Sequence, residues 1–366
     1  MNKIPFTSLP GRPSCKVYHK PGQEKLTLKK AFDEAQNILI VGHQNPDGDA
    51  VGSTQALYRY LKMLGKNATV IYPNVCARNL LWMDPDRKVR NFANHPEEVK
   101  RLVEECDLLC VLDFNRLGRT EALAPVLRAK NVRRIMIDHH LEPSWITFDL
   151  AFSDTTVSST CELLYHVFQA ELDPTCIDVH TAECLYAGIS TDTGSFSYSC
   201  AHKELFSAIA DLISKGLDTV KVHQRIFDNF SESRTRLLGC CLGERLIVKP
   251  EYHTAYMYLS DAELRKYNYQ SGDTEGIVNY GLSIAGIRFA AFFTQRDSRV
   301  RMSFRSQGGI DVNIFAKEFF SGGGHKNAAG AMSTDSLEAV LAKFEAVLPQ
   351  YYKEYIEPHL LPEDFE

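Results

Sequence analysis

The sequence predicts an α/β protein: an N-terminal domain on a mainly parallel sheet and a smaller C-terminal mixed α/β domain, joined by a helical linker. Three observations carry this. From Asn37 to Ala187 short apolar runs alternate with stretches of helical period, the pattern of parallel strands with helices between them. The runs end in polar, turn-forming residues rich in Asp and His, at the strand ends where α/β proteins present their chemistry. Beyond Pro250 strands and helices resume after a long helical stretch.

Residues 1–22, with Pro5, Pro10, Gly11, Pro13, Pro21 and Gly22, read as an irregular arm. A helix over Leu26–Ala35 precedes the buried strand Asn37–Val41, which the polar stretch His43–Asp49 breaks before a helix over Ala50–Leu64. Ala68–Tyr72 is a strand, Pro96–Cys106 a helix, and Leu108–Leu112 an apolar strand ending in Asp113. Glu121–Ala129 is a helix, and the run around Ile135–Ile137 ends in Asp138-His139-His140. Thr160–Phe168 and Asp178–Ala187 are helical, and Gly188–Gly194 reads as a further break. Helices follow over His202–Ser214, Thr219–Asp228 and Ser231–Arg245, the last with Ser231 as N-cap. The C-terminal part holds strands Thr254–Leu259, Ile284–Thr294 and Arg299–Arg305, and helices Thr274–Leu282, Val312–Phe319 and Ser336–Val347. The expected division is 23–215, a linker over 216–250, and 251–350.

Length and composition fit this plan. A chain of 366 residues, 44% hydrophobic and 24% charged, exceeds one ordinary core. A net charge of -5 excludes the broad basic footprint of an extended-duplex DNA binder. No run approaches the ~20 apolar residues of a membrane span. The ten cysteines show no paired CxxC units and no secretory leader precedes them, so reduced thiols and a cytoplasmic location are expected.

His43, Asp47 and Asp49, then Asp113, then Asp138-His139-His140 stand at three strand ends, and Asp192 joins them from the later break. One such residue is more simply a helix cap, but four coincidences in one sheet are not. A mixed Asp and His set suits manganese, with magnesium or cobalt as substitutes, better than calcium or thiolate zinc. The ligands are too many for one tetrahedral site, so two divalent ions sharing a carboxylate are expected, an arrangement that activates water against phosphate esters.

These motifs, with Gly188-x3-Asp192-Thr-Gly194, resemble the DHH phosphoesterase superfamily. Ser321-Gly-Gly-Gly-His325 followed by Asn327-Ala-Ala-Gly330 resembles the signature of its DHHA1 domain. The likeness is greatest to the nanoRNase and pAp-phosphatase branch. It implies that His43 and Asp47 hold one metal, that Asp49, His139 and Asp192 hold the other, and that Asp113 bridges them. Asp138 would orient His139, and His140 would face the scissile phosphate. Gly323, Gly324 and His325 would meet a phosphate oxygen. Arg305, on the alternating strand Arg299–Arg305, resembles the family's phosphate-clamping arginine, and Arg288 is a further candidate.

The expected activity is hydrolysis of short oligoribonucleotides, of pAp, or of both. The rivals are a phosphodiesterase for cyclic dinucleotides or pApA, and a nucleotide-binding regulator without turnover. The partners are small nucleotides or short RNA, with a homodimer admitted. His166, His180, His202, His223, Phe196, Tyr198, Trp82 and Trp145 read as packing or surface residues.

Overall fold

The computed structural model describes residues 6–22, 24–197, 202–270, 272–361 and 364. It comprises two compact units, Met1–Asn229 and Phe230–Glu366. In the first, strands β1 (Phe6–Leu9), β2 (Arg12–His19), β3 (Ile38–Val41), β4 (Ala68–Tyr72), β5 (Arg90–Asn91), β6 (Leu108–Leu112), β7 (Arg133–Asp138) and β8 (Leu150–Ser153) form one sheet. Their order is β1-β2-β8-β7-β6-β3-β4-β5, parallel from β8 to β5, with β1 and β2 added antiparallel at one edge.

Helices α1 (Leu28–Glu34), α2 (Gly48–Met63), α3 (Pro96–Glu105), α4 (Ala124–Ala129), α5 (Thr160–Glu171), α6 (Val179–Asp192), α7 (Lys203–Ser214) and α8 (Thr219–Phe227) complete this unit. Strands β3 and β6 are buried along their whole length, as a sheet covered on both faces requires. Ile38 and Ile40 pack in one core with Leu57 and Leu61 of α2, while Leu39 and Val41 pack in another with Val99, Val103 and Leu127. Each such side chain contributes roughly 1.5–3 kcal/mol on burial. From β3 the chain turns to β4 on one side, then returns to β6 on the other. The carboxyl ends of β3 and β6 therefore flank the point where strand order reverses, the usual crevice for a ligand.

Two sequence expectations are corrected in this unit. The N-terminal arm is a β-hairpin, not irregular chain. Gly11, at φ 76°, makes its turn, and Pro13 falls where register shifts between Leu9↔Arg12 and Ser8↔Lys16, so no ladder bond needs its missing amide. Arg12 anchors the hairpin: its Nε donates to Asp154 Oδ2 at 2.6 Å, beneath α5. Second, Gly188 does not break α6, which runs through it to Asp192. A Cβ at Gly188 would lie 2.2 Å from Cys161 Sγ and 2.7 Å from Asp49 Oδ1, so the glycine answers to close packing against α5 and α2.

The second unit holds α9 (Glu232–Glu244), β9 (Leu246–Lys249), β10 (Thr254–Leu259), α10 (Asp261–Lys266), α11 (Ile277–Leu282), β11 (Phe289–Arg296), β12 (Arg299–Ser306), α12 (Val312–Phe320), β13 (Gly323–His325), β14 (Ala328–Ser333) and α13 (Leu337–Tyr351). Ser231 caps α9 as expected, accepting the Arg234 amide. The sheet order is β13-β14-β12-β11-β10-β9, mixed because β10 and β11 alone pair in parallel. Along β12 Val300, Met302 and Phe304 are buried, the alternation read from sequence. The glycine-rich stretch Gly323–His325 is itself a strand, and β13 and β14 form a hairpin. Gly324, at φ 155°, has no room for a Cβ, which would meet Ala328 O at 2.4 Å. Among the described residues the cysteines are free thiols, most of them buried, and no helix is long and apolar enough to cross a membrane.

Candidate metal centre

Three strand ends and one helix end converge in the first unit. Asp47 caps α2, its Oδ1 accepting the amides of Asp49 and Ala50 at 3.1 and 3.0 Å. Its Oδ2 lies 3.7 Å from His43 Nε2. Asp113 leaves β6 with φ 64°, a left-handed backbone that Asp tolerates better than most residues. It is central: Oδ2 is 3.2 Å from His43 Nε2, and Oδ1 is 3.8 Å from His139 Nε2 and 3.7 Å from His140 Nδ1. Asp192, in the last turn of α6 and not on a loop, brings Oδ2 to 3.4 Å from His139 Nε2.

Two ligand groups result. His43, Asp47 and Asp113 form one; Asp49, Asp113 and His139 form the other; within each, the donor atoms lie within 4.8 Å of one another. Asp113 belongs to both. Asp113, Asp138 and His140 make a third such group. Asp138 Oδ1 lies 2.8 Å from His140 Nδ1.

The electrostatics fit divalent cations. Four buried or half-buried carboxylates, Asp47, Asp49, Asp113 and Asp192, gather with the imidazoles of His43, His139 and His140, and like charges at low dielectric are costly. Burial, then the charges of Asp113 and Asp192, push the Asp49 carboxyl well above its ordinary pKa. Burial would lower His43, but the neighbouring carboxylates of Asp113 and Asp47 prevail and hold it up at about 10. A divalent cation would relieve the same repulsion. His43 Nε2 is also buried without a hydrogen-bond partner among the described residues. Burial, with Arg119 and the neighbouring imidazoles, outweighs Asp113 and keeps His140 well below its usual value, hence neutral. Facing the Asp138 carboxylate, a neutral His140 carries its proton on Nδ1.

Sequence reasoning missed the support beneath these ligands. The first two amides of α5 clamp Asp49: Thr160 N donates to Oδ2 at 2.6 Å and Cys161 N to Oδ1 at 2.8 Å. Thr160 Oγ1 also donates to Asp113 Oδ1 at 2.9 Å. The available signal was Ser159-x-x-Glu162, which marks a helix start and therefore free amides; Ser159 Oγ accepts the Glu162 amide. Arg119 was missed as well, and the guanidinium carries no local motif.

Of the substrate candidates in the second unit, Arg305 and His325 share one cross-strand row through Ala328, and so one face of the sheet. Arg305 Nη1 donates to Phe304 O at 3.0 Å, while its buried Nε has no partner among the described residues. Gly323 lies opposite Gly330, and the Gly324 amide donates to Asn313 Oδ1 at 3.0 Å. Arg288 is engaged elsewhere, paired with Asp364 and donating to Gln307 Oε1 at 2.9 Å. Phe196 packs against Tyr186 and Phe206, whereas Tyr198 lies outside the described residues.

Residues 37–189 match the DHH family, N-terminal domain, and residues 251–353 match the DHHA1 domain. The chain is 26% identical over 348 residues to the bifunctional oligoribonuclease and PAP phosphatase NrnA of Bacillus subtilis, covering 89% of this chain and 99% of that protein. The NrnA of Thermus thermophilus is 29% identical over 314 residues, 80% of this chain and 83% of that one. The cyclic-di-AMP phosphodiesterase PdeA of Listeria monocytogenes is 25% identical over 346 residues, but only 49% of its length is covered, against 89% of this chain. Among solved structures, an exopolyphosphatase-related protein from Bacteroides fragilis superposes with a TM-score of 0.83 at 36% identity, covering 89% of this chain and 95% of that one.

Proposed function

Since the chain belongs to the DHH phosphoesterase family, with a DHHA1 second domain, we propose that it hydrolyses short oligoribonucleotides and pAp. The observation that carries the reading is the pair of ligand groups meeting at Asp113. His43 and Asp47 would hold one ion, Asp49, His139 and Asp192 the other, with manganese favoured over magnesium or cobalt by the mixed Asp and His donors. Two such ions, when bound, neutralise phosphate charge and acidify water.

The chain's own residues do the rest. His43 must surrender its proton to become a ligand. Thr160 and Cys161 hold Asp49 and Asp113 against their mutual repulsion. His140, fixed by Asp138, is positioned to accept a proton or a hydrogen bond. Arg305, His325, Gly323 and Gly324 would bind phosphate oxygens, and Arg288 would act only by leaving its pair with Asp364. The substrate class is supported by the NrnA relatives, the first of which is matched along 99% of its length. A cyclic-dinucleotide or pApA phosphodiesterase is the second reading, favoured by the PdeA match. The complete ligand set speaks against a regulator without turnover. A cytoplasmic site of action belongs to the same proposal.

The test is purified protein with manganese against pAp, pApA, cyclic di-AMP and RNAs from about two to two dozen nucleotides. Turnover of pAp and the shortest RNAs, lost in chelator and in Asp113→Asn, is expected. Hydrolysis that persists in chelator would sink the proposal.

A further inference from the structure

Apart from the metal centre, the first unit contains a cavity of about 560 Å³ between α2 and the chain that follows β4. That volume falls within the range of about 300–1,000 Å³ common for small-molecule sites. Its walls include Val51 and Gln55 from α2, Tyr72 and Asn74 from the end of β4, and Leu80 and Trp82. Val75 and Leu81, at 45% and 50% exposure, stand at its mouth.

The lining has a definite chemistry. It is amide, phenol, indole and aliphatic carbon. Asp84 and Arg87 are its charged members, and both Asp84 oxygens are already taken by the amides of Lys88 and Val89. Two donors in the lining residues are poorly satisfied: Trp82 Nε1 is buried with no hydrogen-bond partner among the described residues, and Gln55 Nε2, buried beside the Tyr72 phenol, has no well-aligned acceptor. A buried donor left unpaired costs free energy, so such groups ask for an explanation. The Trp82 ring is held in place by the Arg225 guanidinium, 4.8 Å from its centroid. The complement of this lining is a planar, uncharged ring with acceptor atoms on its edge.

The cavity is tied to the metal centre. Asn74 Oδ1 accepts the amide of Asn45 at 2.6 Å, and Asn74 Nδ2 donates to Asn45 Oδ1 at 3.1 Å; Asn45 lies between the ligands His43 and Asp47. On α2, Asp47, Val51 and Gln55 follow at intervals of four and share a face. Eight residues of helix separate Asp47 from Gln55 by ~12 Å along the axis, the scale of one nucleotide. We propose that this cavity receives a nucleobase of the substrate whose phosphate is attacked at the metal centre, with Gln55 and Trp82 donating to the base. The proposal rests on the nucleotide reading above and adds where the base is recognised.

The experiment has a binding arm and a turnover arm. Adenosine 5′-monophosphate and ribose 5-phosphate are titrated into wild-type protein, Gln55→Leu, and Val75→Trp, which closes the mouth from an exposed position. Wild type should bind the nucleotide about tenfold more tightly than the sugar phosphate, and both variants should lose that preference. In turnover, both variants should raise KM for pApA about tenfold with kcat little changed. Equal binding of the two ligands by wild type overturns the proposal, as does an unchanged KM in both variants. A parallel fall on bis(p-nitrophenyl) phosphate, which carries no base, also overturns it. Base-dependent binding without hydrolysis of any nucleotide would instead refute the proposed activity and leave the cavity's preference standing.

Discussion

Thr160 and Asp113 are joined by a hydroxyl-to-carboxylate hydrogen bond of 2.9 Å, and the amide of the same threonine grips Asp49 at 2.6 Å. One residue at a helix start therefore steadies a carboxylate in each ligand group. Partners of metal ligands typically contribute about ten- to a hundredfold in affinity. Thr160→Val should weaken manganese binding by about tenfold in calorimetric titration, while Thr160→Ser should restore it. Equal affinity in the valine variant would show that the backbone amides suffice.

Gly188→Ala puts a methyl 2.2 Å from Cys161 Sγ and 2.7 Å from Asp49 Oδ1, inside a helix interface that cannot spread. The expected loss is about 1–3 kcal/mol in denaturant unfolding, the usual cost of overpacking. Metal affinity should fall with it, because the methyl displaces a ligand. A variant as stable as wild type would mean that α6 moves more freely than its packing implies.

The raised pKa of His43, about 10, has a defined sign. Its folded value exceeds the ordinary 6.5, so protonation stabilises the metal-free fold fully below about pH 6.5. That contribution is lost as pH rises towards 10. Metal must displace the same proton, so affinity should rise with pH across this window, with proton release seen as buffer-dependent heat. Affinity flat between about pH 6.5 and 8.5 would contradict the assignment of His43 as a ligand.

Arg305→Ala should raise KM for pAp by about ten- to a hundredfold, the worth of hydrogen bonds to a charged group. If the guanidinium binds ground and transition states alike, kcat stays near the wild-type value. A fall confined to kcat would place the arginine at the reacting phosphoryl group instead.

The candidate metal ligands stood out because each strand is a continuous apolar run ended by an Asp or His. What escaped was non-local. Gly188 reads as a helix breaker until Cys161 is seen occupying the space of its missing side chain. The amides of Thr160 and Cys161 are signalled only by the capping pattern Ser159-x-x-Glu162, which marks a helix start but not the carboxylate it grips. Pro10 and Pro13 argued against strands in the arm, yet the register shift at Ser8 leaves Pro13 outside the ladder. The close strand pairing of the glycines before His325 depends on Ala328–Gly330, which only the hairpin brings near.

The N-terminal hairpin extends the catalytic unit beyond the stretch that family likeness covers. That likeness begins at residue 37, yet β2 pairs with β8 through Lys16↔Ser153 to His19↔Leu150, and Arg12 binds Asp154 at 2.6 Å. Asp154 lies just upstream of Thr160 in the chain, so the hairpin braces the approach to the helix start that grips Asp49 and Asp113. A protein trimmed to the recognisable domain would bare the flank of β8 as an unpaired, adhesive edge. It would be expected to aggregate and to bind metal poorly, although every ligand were still present.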